Sequence, residues 1–275
     1  MAGYDVFARY YDALTANVDY AARAAYLKAL LERLGHAPGL MLDLACGTGS
    51  LTLALHRLGF DVYGVDGSAA MLSEAKDKAY DQEADVLFLC QKMQRLDLYG
   101  TVDTVFCALD SINHLSGPEQ VLETFKRVAF FLNDDGWFIF DVNTPFKHEK
   151  VLADNTFVYD LPDIYCVWQN TYNPQDGSVA IELDFFERQG KLYARSSERF
   201  SERAYSAEKL TALLREAGFD RVEVFGDMRF DAPAPDEQRM IFAAHITNSQ
   251  NGVFAPSVDR GAAVDLHAAA DLHAG

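Results

Sequence analysis

Between residues 40 and 142 short apolar runs alternate with segments of helical period, and this alternation restricts the fold more than any other feature of the chain. Ahead of it, residues 20–34 repeat apolar side chains at helical spacing and stop at Gly35, with Pro38 beyond. Leu40–Ala45 reads as a first strand that turns through Cys46-Gly47-Thr48-Gly49 into a helical stretch over Ser50–Leu58. Phe60–Val65, Val86–Cys90, Val102–Leu109 and Trp137–Val142 read as four further strands. A helix capped by Ser68 runs through Lys78, and another spans Pro118–Leu132, closed by a turn at residues 133–136. Strands alternating with helices of this length predict a parallel sheet with helices on both faces.

The period changes near Phe157. Tyr165–Tyr172, Val179–Glu187 and Leu192–Ser201 are strand-like, and turns at residues 174–177 and at Gln189-Gly190 separate them. They predict an antiparallel meander inserted after the fifth strand. Helix returns over Ala207–Glu216 and is closed by Gly218; Arg221–Phe225 and Met240–Ile246 are the last two strands, suited to a closing hairpin. The division expected is a core of residues 1–150 and 206–247, an inserted lid of residues 151–205, and a solvated tail of residues 248–275. The lid is rich in Tyr, Phe and Trp, which suits either an acceptor-covering role or a homodimer surface. In the tail Asp-Leu-His-Ala occurs twice, too few copies for a repeat architecture and better read as solvated than as a metal site.

An apolar fraction of 49% is enough for a full core, and a net charge of −17 disfavours nucleic acid as a partner. The four cysteines form no C-x-x-C pair, so free thiols in a reducing compartment are expected and no metal site. No stretch approaches about 18 consecutive apolar residues, so no membrane association is expected and the location is expected to be cytoplasmic.

The chemistry concentrates in Leu42-Asp43-Leu44-Ala45-Cys46-Gly47-Thr48-Gly49. A strand that turns at once into a helix brings backbone close to a ligand, and glycine permits the approach. Asp66 ends the second strand, 17 residues after Gly49, at the same edge of the sheet, where a carboxylate can accept from both hydroxyls of a ribose. A nicotinamide site needs G-x-G-x-x-G, but Thr52 stands where its third glycine would be. Asp43 would repel a pyrophosphate and attract an ammonium group.

The run LDLACGTGSLTLALHRLGFDVYGVDGSAAML resembles the first two motifs of class I S-adenosylmethionine-dependent methyltransferases, with Ala45 in place of the more usual first glycine. The resemblance implies a doubly wound, Rossmann-like seven-stranded α/β sheet, S-adenosyl-L-methionine as cofactor, and methyl transfer to a small-molecule acceptor. It places Asp43 under the methionine amino group and makes Ala45, Gly47 and Gly49 the turn. It puts Asp66 on the ribose, Gly67 and Met71 against the adenine, and Lys92 and Met93 beside the adenine ring. The family usually has an Asp at the position of Lys92. Tyr4-Asp5-Val6-Phe7-Ala8-Arg9-Tyr10-Tyr11-Asp12 resembles a family segment that folds over the cofactor, in which Tyr11 would face the sulfonium and Arg9 the methionine carboxylate. Asp110 and Asn113, after the fourth strand, fall where the family places methionine-proximal groups, although both residue types also suit turns. His114 is the candidate general base. A non-catalytic S-adenosylmethionine-binding protein would carry the same motifs, and a nicotinamide oxidoreductase is the less favoured alternative.

Overall fold

The computed structural model describes residues 5–247; the expected tail of residues 248–275 and Tyr4 lie outside them. Six α-helices and eleven strands follow in the order α1 (Asp5–Leu14), α2 (Tyr20–Arg33), β1 (Leu40–Leu44), α3 (Ser50–Arg57), β2 (Asp61–Asp66), α4 (Ala69–Asp81), β3 (Phe88–Cys90), β4 (Val102–Cys107), α5 (Pro118–Phe131) and β5 (Leu132–Asn143). Then come β6 (Thr156–Asp160), β7 (Ile164–Asn173), β8 (Ser178–Gln189), β9 (Leu192–Arg203), α6 (Ala207–Ala217), β10 (Arg221–Gly226) and β11 (Arg239–Ile246). Short 3-10 turns occupy Met93–Arg95 and Ser111–His114, and a π-helical turn spans Lys147–Leu152. No helix among the described residues is long and apolar enough to cross a membrane.

Seven strands form one sheet in the order β10-β11-β5-β4-β1-β2-β3, parallel except where β11 pairs antiparallel with β5 and β10. The alternating side chains of β1 divide between its faces. Leu42 and Leu44 join a core beneath α5 and α6 with Phe125, Phe138 and Leu214, whereas Met41 packs with Leu30, Leu51 and Leu55 of α2 and α3. Ser68 caps α4 through a bond from the Met71 amide, and Gly218 ends α6 at φ 108°, both as the sequence predicts.

The other four strands form an antiparallel sheet, β6-β7-β8-β9. Its inner face (Ile164, Cys166, Val179, Ile181, Leu183, Phe185) packs on Phe7, Ala8 and Leu14 of α1, together with Met71 of α4. Helix α1 is thus held between lid and main sheet, and burying a side chain such as Phe7 contributes about 1.5–3 kcal/mol. Two local expectations change. The turn at residues 133–136 lies inside β5 as a bulge, because Leu132 pairs with Val102 and Trp137 with Thr104. The meander has a fourth strand, β6, which has no fully buried residue and therefore little apolar signal.

Gly49 shows how tightly the first turn is packed. It adopts φ 72°, and a Cβ there would lie 2.9 Å from both the Ala75 Cβ and the Phe88 ring. Gly49→Ala should therefore destabilise the protein by roughly 2–4 kcal/mol, combining left-handed strain with overpacking. Urea denaturation checks this; a loss below about 1 kcal/mol would show that α4 and β3 yield at no cost.

Candidate functional site

Strand order reverses between β1 and β4: the chain after β1 leads toward β2, while β4 continues toward β5 on the other side. Loops leaving the two carboxyl ends diverge and open a crevice, the usual ligand position in such sheets. A cleft lies there, lined by Tyr11, Tyr20, Asp43, Gly47, Thr48 and Ser111 among others.

The turn after β1 is left-handed at Ala45 (φ 59°), Gly47 (φ 55°) and Gly49. Asp66, at the end of β2, fixes it from the side. Its Oδ2 accepts from the Gly47 amide at 2.9 Å and its Oδ1 from the Ser68 amide at 2.7 Å. Burial pushes the Asp66 carboxyl up, and these two backbone bonds oppose the rise. Each oxygen keeps a second acceptor site for a ligand hydroxyl. Asp43 is buried below the turn, where it accepts from the Thr52 hydroxyl at 2.6 Å. Burial pushes its carboxyl up to about 7, with the nearby Asp66 charge adding to the rise. A buried carboxyl whose hydrogen-bond donor is a neutral hydroxyl suits an incoming cation. A Cβ on Gly67 would stand 3.6 Å from the Lys92 side chain, so the ends of β2 and β3 meet there. Lys92 is exposed, Met93 is half-buried against the main core, and Met71 is buried beneath α1 and the lid, a backing position.

Helix α1 is clasped over the turn by Asp12. Its carboxylate accepts from Thr48 Oγ1 at 2.7 Å, Ser50 Oγ at 3.1 Å and Lys78 Nζ at 2.5 Å. At the other end of α1, the Glu198 side chain of β9 accepts from the amides of Val6 and Phe7. Tyr11 lines the cleft, with the edge of its ring set against Phe7. Arg9 departs from expectation: it is exposed and pairs with Glu187 of β8 at 2.9 Å, so it ties α1 to the lid and turns away from the cleft.

A second polar group assembles at the ends of β4 and β5. Leu109 (φ 56°) and Asp110 (φ 53°) are consecutive left-handed residues other than glycine, a costly arrangement. Asp141 of β5 holds both, accepting from the Leu109 amide at 2.9 Å and the Asp110 amide at 2.8 Å. Arg239, which begins β11, bridges Asp141 and Asp110, and Arg23 of α2 lies 3.4 Å from Asp141. Asp110 thus faces a guanidinium, and its side chain makes no helix-cap bond. Asn113 also departs from expectation. Fully buried, its amide donates to the carbonyls of Asn143 and Arg203 and accepts from the Asn143 amide, so it braces the loop and offers no surface to a cofactor.

His114 is partly exposed and near enough to Asp66 for their charges to interact. Its Nε2 lies 3.8 Å from Glu202 Oε1 at the end of β9, and its ring lies 5.3 Å from that of Phe200. Asn143 Nδ2 donates to Glu202 Oε2 at 3.0 Å, and the buried His148 presents Nε2 to the same oxygen at 3.4 Å. Lys147 donates to Asn143 Oδ1 at 2.8 Å; burial, with Arg239 nearby, holds its ammonium below the ordinary value. Asp110, His114 and Glu202 bring ligand atoms within 4.8 Å of one another. Arg239 already neutralises Asp110, however, and Lys147 adds a second positive charge, so a divalent cation there would meet fixed repulsion. Glu202, Arg239, Asp141 and Lys147 carry no local motif, and no spacing in the sequence marks them.

Comparison with known proteins accords with this geometry. Residues 41–136 match a family model described as a methyltransferase domain. The chain is 34% identical over 242 residues to "Putative methyltransferase YqeM" of Bacillus subtilis, covering 88% of this chain and 96% of that protein. It is 26% identical over 195 residues to a glycine/sarcosine N-methyltransferase of Halorhodospira halochloris, covering 69% of this chain and 68% of that one. The solved structure of an S-adenosylmethionine-dependent methyltransferase from Clostridium acetobutylicum matches with a TM-score of 0.80 and 31% identity, over 88% of this chain and 98% of that one. Asp66 with acceptor sites to spare, a glycine turn open at Gly47 and a buried carboxyl at Asp43 fit a nucleoside joined to an amino acid. The chain belongs to the S-adenosylmethionine-dependent methyltransferases.

Proposed function

We propose that the enzyme holds its methyl donor in the crevice between β1 and β4 and methylates the nitrogen of a small amine. S-adenosylmethionine supplies a methyl group already activated by positive sulfur. Asp66 accepts from the ribose hydroxyls, which its doubly anchored carboxylate supports better than any other group in the cleft. Ala45, Gly47 and Gly49 let backbone approach closely, Asp43 meets the amino group, and Gly67, Lys92 and Met93 bound the adenine side, backed by Met71. Tyr11 covers the sulfonium from α1, and Asp110, fixed by Arg239, closes the methionine end. Alignment and exclusion of water by α1 and the lid provide most of the acceleration.

An amine that arrives as ammonium must lose a proton, and His114 is placed to take it. The observation that carries the nitrogen reading is this partly exposed imidazole close to Asp66 and Asp110, with Glu202 behind it. The name of the Halorhodospira relative, a glycine/sarcosine N-methyltransferase, points the same way. Incubation with S-adenosylmethionine and separate panels of small amines, alcohols and carboxylic acids tests it. S-adenosylhomocysteine should accumulate with amines; accumulation with another panel alone would contradict the reading.

Asp66→Ala should weaken S-adenosylhomocysteine binding by roughly 1.5–3 kcal/mol, the worth of hydrogen bonds to a charged acceptor. Calorimetric titration measures it, and unchanged affinity would place the ribose elsewhere.

Asp43 gives the site a pH signature. Its folded-state value of about 7 lies above the unfolded one, so the stability this gives the empty protein is present at low pH and is lost as pH rises toward 7. An ammonium beside it favours the ionised form. Binding below about pH 7 should therefore expel a proton, and affinity should climb up to about tenfold per pH unit toward 7. Titration in buffers of different ionisation enthalpy counts the proton. Asp43→Asn should abolish both the release and the slope; a variant that kept them would locate the titrating group elsewhere.

A further inference from the structure

We infer that Glu202, delivered by the last strand of the lid, is the positioning carboxylate of His114, so that lid and core together form the base. The inference rests on the amine reading, in which His114 takes a proton. Glu202 is buried, and its two oxygens face different neighbours. Oε2 accepts from Asn143 Nδ2 of β5 on the core side, with His148 Nε2 of the π-helical turn 3.4 Å away. That ring is itself held, because its Nδ1 lies 3.1 Å from the Gly177 carbonyl. Oε1 is left to His114 Nε2 at 3.8 Å, longer than a hydrogen bond and close enough that the inference requires only the ring to turn toward it.

The ring plane is set by the same strand. Phe200, two residues before Glu202, lies against the His114 ring, and Phe200 in turn stacks on Phe7 of α1 at 6.0 Å. One short segment of β9 therefore supplies both the wall and the carboxylate, and α1 backs the wall. The charged groups that face His114 are Glu202, Asp110 (already paired with Arg239) and, farther off, Asp66. Burial alone would raise the Glu202 carboxyl, but the His148 and His114 rings beside it and the bond from Asn143 outweigh it and hold the group well below its ordinary value. Glu202 is thus an anion that can orient an imidazole and balance the proton it collects, the logic of a base oriented by a third group.

With Nε2–H directed at Glu202, the bare nitrogen is Nδ1. In the transfer, the acceptor's N–H proton passes to Nδ1 and its electron pair stays on nitrogen for the new N–C bond. The pair of the broken S–C bond leaves with the thioether sulfur. A role confined to packing the strand against the ring, with no bond to Oε1, would leave the choice of ring nitrogen to the intrinsic preference of free histidine.

That difference is the test. The full chain with nitrogen-15 histidine and saturating S-adenosylhomocysteine is observed by NMR at about pH 8, where an ordinary imidazole is neutral. The His114 signals are identified by their loss in His114→Gln. The wild-type ring should be held as the Nε2–H tautomer more completely than free histidine, which already prefers it, and Glu202→Gln should relax the ring toward the free preference. Predominance of Nδ1–H or of the doubly protonated ring in the wild type would overturn the inference, whether or not the variant folds. So would a folded Glu202→Gln with the wild-type tautomer balance. Because no acceptor is present, failure here is distinct from failure of the amine reading, which the acceptor panels decide.

Discussion

Parallel strands joined by right-handed crossovers place their loops at one edge of the sheet, and a reversal of strand order leaves two of those loops with no shared partner. In this chain the reversal falls between β1 and β4. Asp43, the glycine turn and the Leu109–Asp110 turn all face the gap it opens. Asp66 is one strand away on β2 and Asp141 one strand away on β5, each carboxylate bonding backbone amides of the loop beside it. The two sides of the crevice are thus built by the same device. A carboxylate at a strand end holds a neighbouring turn in a conformation that the turn alone would avoid.

The magnitudes show why carboxylates are used. Each left-handed residue other than glycine costs roughly 1–2 kcal/mol, and the second turn contains two in succession. A hydrogen bond to a charged group contributes about 1.5–3 kcal/mol, so the two amide bonds to Asp141 are sufficient to offset the strain. Arg239 and Arg23 then neutralise a carboxylate that burial would otherwise penalise. The result joins β4, β5, β11 and α2 through one side chain. It also explains why the last strand, although distant in sequence, belongs to the site.

What the sequence disclosed and what it withheld divide along the range of the interactions. Ala45, Gly47, Gly49 and Asp66 were legible because a turn and the end of the next strand form a local pattern. The βα alternation and the closing hairpin were legible for the same reason. Asp12, Glu202 and Arg239 were not, because their partners lie 36 or more residues away and no spacing announces them. The family resemblance implies cofactor contacts for Arg9 and Asn113. The structure gives Arg9 to Glu187 and Asn113 to backbone, since a long cation finds the nearest acidic strand and a buried amide must satisfy itself. β6 escaped notice because a half-exposed edge strand needs no apolar run.

In the proposed site the methyl donor sits across the β1/β4 reversal. A crystal structure of the complex with S-adenosylhomocysteine tests that most directly. It should show both ribose hydroxyls within hydrogen-bond distance of Asp66, the amino group on the Asp43 side of the glycine turn, and the sulfur directed toward the opening beside His114. A nucleoside bound away from the reversal, or an Asp66 carboxylate that touches only the Gly47 and Ser68 amides in the complex, would contradict it.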